Sequence, residues 1–446
     1  MIYVRDIIRE CNGKLLCGDI NLECINFSID TRSINKGDIY VGIKGETFNG
    51  NLFYKDAIEK GACACILDKD TMVDINDIDT TIILVDDTIR CLQELAKYKR
   101  SLVDIPVVAV TGSVGKTSVK DIIYAVLSSK YKVLSTIGNF NNHIGLPLTI
   151  LRLRDEDMMV LEMGMSEFGE IELLSNIAKP TIGVITNIGT AHIGNLGSRE
   201  NILKAKLEIL MGMDNGYLVI NNDNDMLRTV EYNHLITVGI DNQSDYMATE
   251  ICENVFSSSF LVNGKTVEIS IGSRAFIYNT LFAFAVCEKM GMSFDEIKSA
   301  INNFKLSPHR LELIKCDNLT IIDDTYNASF DSVKNSIELL SKINNRKVFI
   351  FADILELDSF GEAIHKDIGN VILDNQIDVL ITVGNLSKYT YDVVKKNSDY
   401  CYHYENNDLL ISEIDGIIKD NDVILVKGSH GMNLIQVVDY LKKKNA

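Results

Sequence analysis

Tryptophan is absent from this chain of 446 residues, and only 4 prolines and 10 cysteines occur in it. So few prolines leave no Pro-rich linker, and domain boundaries have to be read from changes of pattern. The cysteines are too sparse for a disulfide scaffold, and none forms a CxxC pair. Cys63 and Cys65, in GACACIL, alternate as residues of a buried strand do, which favours reduced thiols over a zinc site. No apolar run approaches the ~18–20 residues of a membrane span. The opening MIYVRDIIRECNG interrupts its apolar residues with Arg5, Asp6, Arg9 and Glu10, which is no signal-peptide core. Positive charge is short as well: 44 Lys and Arg against 62 Asp and Glu give a net charge of −18. Such a surface repels phosphodiester backbones and anionic lipid, so nucleic acid and membrane surfaces are poor partners, while a local nucleotide pocket stays open. Together these features predict a cytoplasmic protein.

What is present suits a soluble globular chain. Hydrophobic residues make up 46% and charged residues 24%, and at roughly 150 residues per domain the length suggests about three domains. Short strand-like runs at 39–43, 63–67 and 82–85 surround one helical stretch at 53–60. A helical segment at 87–100 leads into IPVVAV at 105–110, a continuous apolar run suited to a buried parallel strand. Strand-like and helix-like segments then alternate to about Lys305, break around Ser307-Pro308-His309-Arg310, and resume with KVFIFA, VLITVG and DVILVKG. The fold class expected is α/β. A small leading domain at 1–84 precedes two domains on mostly parallel sheets, at 85–307 and 308–446.

The run Thr111-Gly112-Ser113-Val114-Gly115-Lys116-Thr117-Ser118 follows the buried strand and opens an amphipathic helix with Val119, Ile122, Ile123, Val126 and Leu127 on one face. Strand, Gly-rich loop, Lys-Thr and helix are the components of a phosphate cradle. Glycines let backbone N–H groups close on phosphate oxygens, and the helix start adds positive potential. Lys116 would reach the β- and γ-phosphates and Thr117 a magnesium ion. Val110 stands where the general motif has a further glycine, so the loop is a shortened variant.

Two more strand ends carry polar groups: Glu162 after the apolar 158–161, and His192 in TNIGTAH after 182–185. Ligands of open parallel sheets bind beyond the carboxyl ends of strands, so Lys116, Thr117, Glu162 and His192 are expected at one crevice. Glu and neutral His both bind divalent ions. In SRENILKAKLEILM, Lys206 falls inside the apolar arc of Ile202, Leu203, Ile209 and Leu210, while Lys204 and Glu208 lie opposite. A lysine so placed either snorkels to an edge, the commoner outcome on pattern alone, or does chemistry.

These segments together resemble the Mur ligases, the ATP-dependent amide-bond-forming enzymes of peptidoglycan synthesis. The resemblance rests on AVTGSVGKTSVK, GNFNNHIGLPLTIL, LEMGMSEFGEI, NIGTAHI, KAKLEI, DDTYNAS and LVKGS, with DTR and GIKGETFNG in the leading domain, and runs over nearly the whole chain. It implies a UDP-sugar-binding first domain, a central phosphate-loop ATPase domain and a Rossmann-like final domain that presents the amine donor. It also implies that ATP phosphorylates the terminal carboxylate of UDP-N-acetylmuramoyl-tripeptide and that the amine of D-alanyl-D-alanine attacks the acyl phosphate. By motif, Lys116, His192 and Lys206 are carried over as catalytic, Thr117 as a magnesium ligand, and Glu162, His192 and Lys206 as ligands of a second metal ion. Lys206 matches a lysine that several Mur ligases carry as a carbamate. Thr111, Gly112, Ser113, Val114, Gly115, Lys116, Thr117, Ser118, Asn279, Arg310 and Asp324 match the ATP side. Asp30, Arg32, Lys44, Asn139, Asn142, Tyr326, Asn327, Lys427, Ser429 and His430 match the other substrates. The protein is expected to act as a monomer.

The chain departs from the family pattern at several positions. Ala275-Phe276 stands for His-Asn, His309 for the glycine before Arg310, and Ala352 for the glycine of a Gly-Asp-Met-like turn. Asn49-Gly50-Asn51 stands for Asp-Gly-His, His430 for the arginine of KGSR, and Ile435 for a glutamate. The departures gather on the substrate-facing domains and leave two alternatives open. One is a paralogue joining another carboxylate and amine, as folylpolyglutamate synthase-like or cyanophycin synthetase-like relatives do; the other is a non-catalytic ATP-binding partner.

Overall fold

The computed structural model describes residues 1–445 apart from Glu46, 75–78, 255–256, 306–307 and Glu356. The expected boundary at 307/308 and the break at Ser307 therefore lie partly outside the described residues, as does Glu46 of GIKGETFNG. Contacts group the chain into two units, Met1–Thr111 with Lys130–Val184 and Ala205–Leu218, and Gly112–Ser129 with Ile185–Lys204 and Val219–Ala446.

In the first unit a five-stranded sheet has the order Lys14–Cys17, Thr81–Val85, Ala64–Asp68, Ile39–Val41, Phe27–Ser28. Lys14–Cys17 is antiparallel to its neighbour and the other pairs are parallel. Cys65 is buried in its strand, as the alternation suggested, whereas Cys63 precedes the strand and points its thiol at the Gly37 carbonyl. Both thiols are free. Asp87 caps the helix Thr88–Ser101 by accepting from the N–H groups of Ile89 and Arg90. Further strands run in the order Ile182–Ile185, Val107–Thr111, Met158–Glu162, Val133–Ser135, with the last three pairing in parallel. The strand that feeds the glycine loop is thus flanked by the two strands that carry Glu162 and lead to His192. Val107–Val110 and Met159–Leu161 are fully buried, which explains their unbroken apolar runs.

The second unit contains the amphipathic helix Lys116–Ser128, with Val119, Ile122, Ile123, Val126 and Leu127 all buried as the spacing predicted. It also contains Leu235–Gly239, which pairs in parallel with Tyr246–Glu253, followed by the antiparallel strands Ser258–Val262 and Lys265–Ile269. A six-stranded sheet has the order Glu312–Lys315, Thr320–Asp324, Val423–Lys427, Lys347–Ala352, Val379–Val383, Cys401–Tyr404. Only its first pair is antiparallel. Apolar clusters cover this sheet on both faces, one around Ile350, Ile381 and Val437, the other around Phe349, Val333 and Ile368. Among the described residues no helix is long and apolar enough to cross a membrane.

Candidate active site

The loop after Val107–Thr111 is clamped from the neighbouring strand end. The Ser113 N–H donates to the Asn187 carbonyl at 3.0 Å, the Val114 N–H to Asn187 Oδ1 at 2.8 Å, and the Thr186 hydroxyl to the Val114 carbonyl. Gly112 has φ 150°, and a Cβ there would sit 1.9 Å from Thr186 Oγ1, so a side chain is excluded by both backbone and space. Gly115, at φ 83°, caps the helix that begins at Lys116. The Lys116 Nζ folds back to donate to the Gly112 carbonyl at 2.8 Å, which holds its charge over the loop. Thr117 and Ser118 follow half-buried in the first turn. The hydroxyls of Thr111 and Ser113 are buried without a hydrogen-bond partner. Asn279, on the helix Arg274–Lys289, is buried and turns its amide oxygen towards Gly115. Sequence reasoning had not singled out Thr186 or Asn187, which hold the loop closed.

Glu162 ends its strand opposite Val110 and is 3% exposed. Its N–H donates to the Thr136 hydroxyl at 3.0 Å, and its Oε1 accepts from Asn141 Nδ2 at 2.8 Å, while Oε2 is buried without a partner. Leaving a buried carboxylate oxygen unmatched is costly, so this atom suits a cation ligand. Asn141 was missed because it lies among several asparagines in GNFNN. Of the two that were selected, Asn139 is exposed, and Asn142 Oδ1 accepts from the N–H groups of Ile144 and Gly145 at the start of the helix Gly145–Leu151. Lys206 lies on the helix Arg199–Leu207 and is 1% exposed. It does not snorkel: Ile202, Ala205 and Ile209 are buried with it, and Lys204 is exposed as the helical arc predicted.

His192 precedes the short helix Ile193–Leu196 with φ 63°. Three residues before it, Gly189 touches Asp331, which comes from the first turn of the helix Phe330–Ser341. Burial pushes the Asp331 carboxyl up from its ordinary value; Arg199, Lys334 and the Thr190 N–H pull it the other way. Its Oδ2 is buried without a partner. Asp331 was not foreseen.

In the six-stranded sheet, Asp324 and Lys427 are register partners on parallel strands. Lys427 is 2% exposed and donates to Asp324 Oδ2 at 2.6 Å and to the Asn327 carbonyl at 3.1 Å. Ser336 donates to the same Asp324 oxygen at 2.7 Å. The Arg310 guanidinium lies 3.7 Å from the Tyr326 ring centre, and the Tyr326 and His430 rings are 6.2 Å apart. Ser429 is buried, with its hydroxyl accepting from the Leu355 N–H at 2.9 Å, and His430 is exposed. Ile435 packs at the margin of the apolar cluster.

In the leading domain, Arg32 grips Asp30 through Nε and Nη2, the latter at 2.7 Å, and holds that carboxyl at about 2. Arg32 is exposed, and Lys44, also exposed, pairs through its backbone with Asn49 in an isolated antiparallel bridge. Asn51, at the departure from Asp-Gly-His, is fully buried and exchanges hydrogen bonds with Asp68 at 2.8 and 2.9 Å.

Three family models match the chain: "Mur ligase family, catalytic domain" over residues 25–100, "Mur ligase middle domain" over 110–287, and "Mur ligase, glutamate ligase domain" over 309–430. A UDP-N-acetylmuramoyl-tripeptide–D-alanyl-D-alanine ligase of Bacillus subtilis is 38% identical over 418 residues, 92% of this chain and 91% of that protein. The crystal structure of MurF from Acinetobacter baumannii is similar with a TM-score of 0.90 and 26% identity, covering 99% of this chain and 98% of that one. MurF ligase from Thermotoga maritima, solved in complex with ADP, is similar with a TM-score of 0.82 and 27% identity over 94% and 97% of the two chains.

Proposed function

The chain belongs to the Mur ligase family, with its three-domain α/β architecture, and we propose that it joins D-alanyl-D-alanine to UDP-N-acetylmuramoyl-tripeptide at the expense of ATP. The observation that carries this reading is the clamped glycine loop with Lys116 folded over it; separately, the strand in register with Val107–Val110 ends in a buried Glu162 with one unmatched oxygen. The first domain, 1–84, binds the UDP-sugar peptide through Asp30, Arg32 and Lys44, aided by Asn139 and Asn142. The central domain, 85–307, binds ATP, and the final domain, 308–446, presents the dipeptide.

In this reading the loop N–H groups and the helix start hold the phosphates, with Asn279 and Asp324 on the nucleoside and Arg310 on a phosphate. Lys116 offsets the charge that gathers as a phosphoryl group approaches a carboxylate. Thr117 would hold magnesium and Glu162, His192 and Lys206 a second metal ion, a role that the unmatched Glu162 oxygen fits. When bound, magnesium neutralises phosphate charge. Asn141 fixes the Glu162 carboxylate so that Oε2 is the oxygen left to coordinate. Lys206, by adding CO2 to its amine with loss of a proton, becomes an anionic carbamate and a further ligand. Lys427, Ser429, Tyr326, Asn327 and His430 line the donor side. An arginine at 430 would grip the dipeptide carboxylate with two hydrogen bonds, so His430 gives weaker dipeptide binding. The enzyme works as a monomer in the cytoplasm.

Phosphate release, measured with ATP and magnesium across a matrix of nucleotide-peptide acceptors and dipeptides, tests the reading. The expected result is turnover that needs both UDP-N-acetylmuramoyl-tripeptide and D-alanyl-D-alanine. Turnover with another amine but none with D-alanyl-D-alanine would establish the paralogue instead.

A further inference from the structure

Arg310 stands between two residues in the left-handed backbone region, His309 at φ 64° and Leu311 at φ 50°. Neither is glycine, so the segment carries strain that persists only where surrounding contacts over-determine it. Most of those contacts reach the strand Thr320–Asp324 and the turn after it. His309 Nδ1 lies 2.7 Å from Oδ2 of Asp323, a carboxylate 1% exposed whose Oδ1 accepts from the N–H and hydroxyl of Thr325. The His309 carbonyl accepts from the Tyr326 N–H at 3.1 Å, and its own N–H donates to Glu312 Oε2 at 3.0 Å. The Leu311 N–H donates to Asp324 Oδ1 at 3.3 Å. Pinned on both sides, Arg310 lays its guanidinium over Tyr326, with Nε buried and without a hydrogen-bond partner.

We propose that His309 is a positioning residue: its imidazole, tied to the buried Asp323 carboxylate, fastens the left-handed turn that aims Arg310 at the nucleotide phosphates. The inference rests on the reading of Arg310 as a phosphate contact and goes beyond it by assigning the aiming to the neighbouring side chain. A glycine at 309, usual in the family, adopts this φ without strain but cannot tie the turn down. Histidine accepts the strain and supplies the tie. His309, Glu312 and Asp323 also bring three ligand atoms within 4.8 Å of one another. Both Asp323 oxygens are already engaged by His309 and Thr325, and Glu312 by the His309 backbone, so the cluster is a tether rather than a cation site.

Calorimetric binding of a non-hydrolysable ATP analogue with magnesium to the full chain, read beside thermal unfolding, tests this. His309→Gly keeps the backbone and removes the tether, and is expected to weaken binding about 5- to 20-fold, part of the worth of one charge-assisted hydrogen bond. His309→Asn, which tolerates the left-handed region and offers an N–H to Asp323, is expected to bind within about threefold of the parent. Arg310→Ala sets the full loss. If Arg310→Ala weakens binding while His309→Gly does not, whether or not its unfolding midpoint drops, the proposal is overturned and the Arg310 reading stands. If His309→Asn binds as weakly as His309→Gly, the tether is not what matters and the proposal is likewise overturned. If Arg310→Ala binds as tightly as the parent, the phosphate reading itself fails and takes this inference with it.

Discussion

Gly189 offers a direct test of how the start of the helix Phe330–Ser341 meets the loop after Ile182–Ile185. Its backbone is not left-handed, so alanine there meets a purely spatial objection. A Cβ at 189 would lie 2.2 Å from Asp331 Oδ2 and 3.3 Å from Asp331 Cγ, with Ser113 Cβ at an ordinary 3.5 Å. Asp331 is short, and its carboxyl already faces Arg199 and the Thr190 N–H, so the helix start or the loop has to back off. Overpacking of this kind costs about 1–3 kcal/mol, or about 5- to 150-fold against the arrangement. The loop carries Asn187, which clamps Ser113 and Val114, so the displacement reaches the phosphate loop. Gly189→Ala is therefore expected to lower phosphate release about 5- to 100-fold at saturating substrates. Asp331→Ala in the same chain removes the clashing oxygens and is expected to recover most of that loss. Rates and unfolding midpoints of the parent, the two single variants and the double variant close a cycle. Simple additivity of the two losses would refute the argument, because it would mean that residues 189 and 331 do not meet in the working enzyme.

Lys116→Ala is expected to lower phosphate release by at least about 10²–10³-fold with an unchanged unfolding midpoint, since the side chain is half-buried and packs no core; near-normal release by a folded variant refutes its role. Lys206→Ala is expected to be inactive, with partial rescue by small carboxylic acids that fill the place of the carbamate; an active variant, or a plain amine in active parent protein by intact mass, removes the carbamate. Asp331 gives a pH signature. Burial raises its folded pKa above the ordinary carboxylate value of about 4, so its contribution to stability is full below that value and is lost as pH rises through the folded pKa. Asp331→Asn stays neutral throughout, and its unfolding midpoint should gain on the parent as pH rises; a difference that is flat with pH contradicts the burial argument.

The parts of the site that the sequence revealed are those that depend on local geometry. A run such as VVAV is apolar throughout because both faces of a parallel strand are covered, and the glycine loop with Lys-Thr follows directly from that strand's end. The helical arc that caught Lys206 is equally local: a 100° advance per residue fixes its neighbours whatever packs against them. Asn141, Thr186, Asn187 and Asp331 were not readable in that way. Each acts through a partner far along the chain, and nothing in the residue type separates Asn141, which orients Glu162, from Asn142, which caps a helix.

The pairing of Asp324 with Lys427 was not legible: the resemblance set the two residues on different substrates, and only the sheet brings them together. They are separated by 103 positions, yet both close apolar strands of one parallel pair, and parallel register sets such ends side by side. A charged residue at the carboxyl end of a buried strand is therefore placed by topology before any contact is known. The turn at His309 follows the opposite logic. Its left-handed backbone looks like a glycine position from the chain direction alone, and only the buried Asp323 shows what a side chain gains there. A single strand end can be read forwards from a sequence, while a strained turn can be understood only from the partner that holds it.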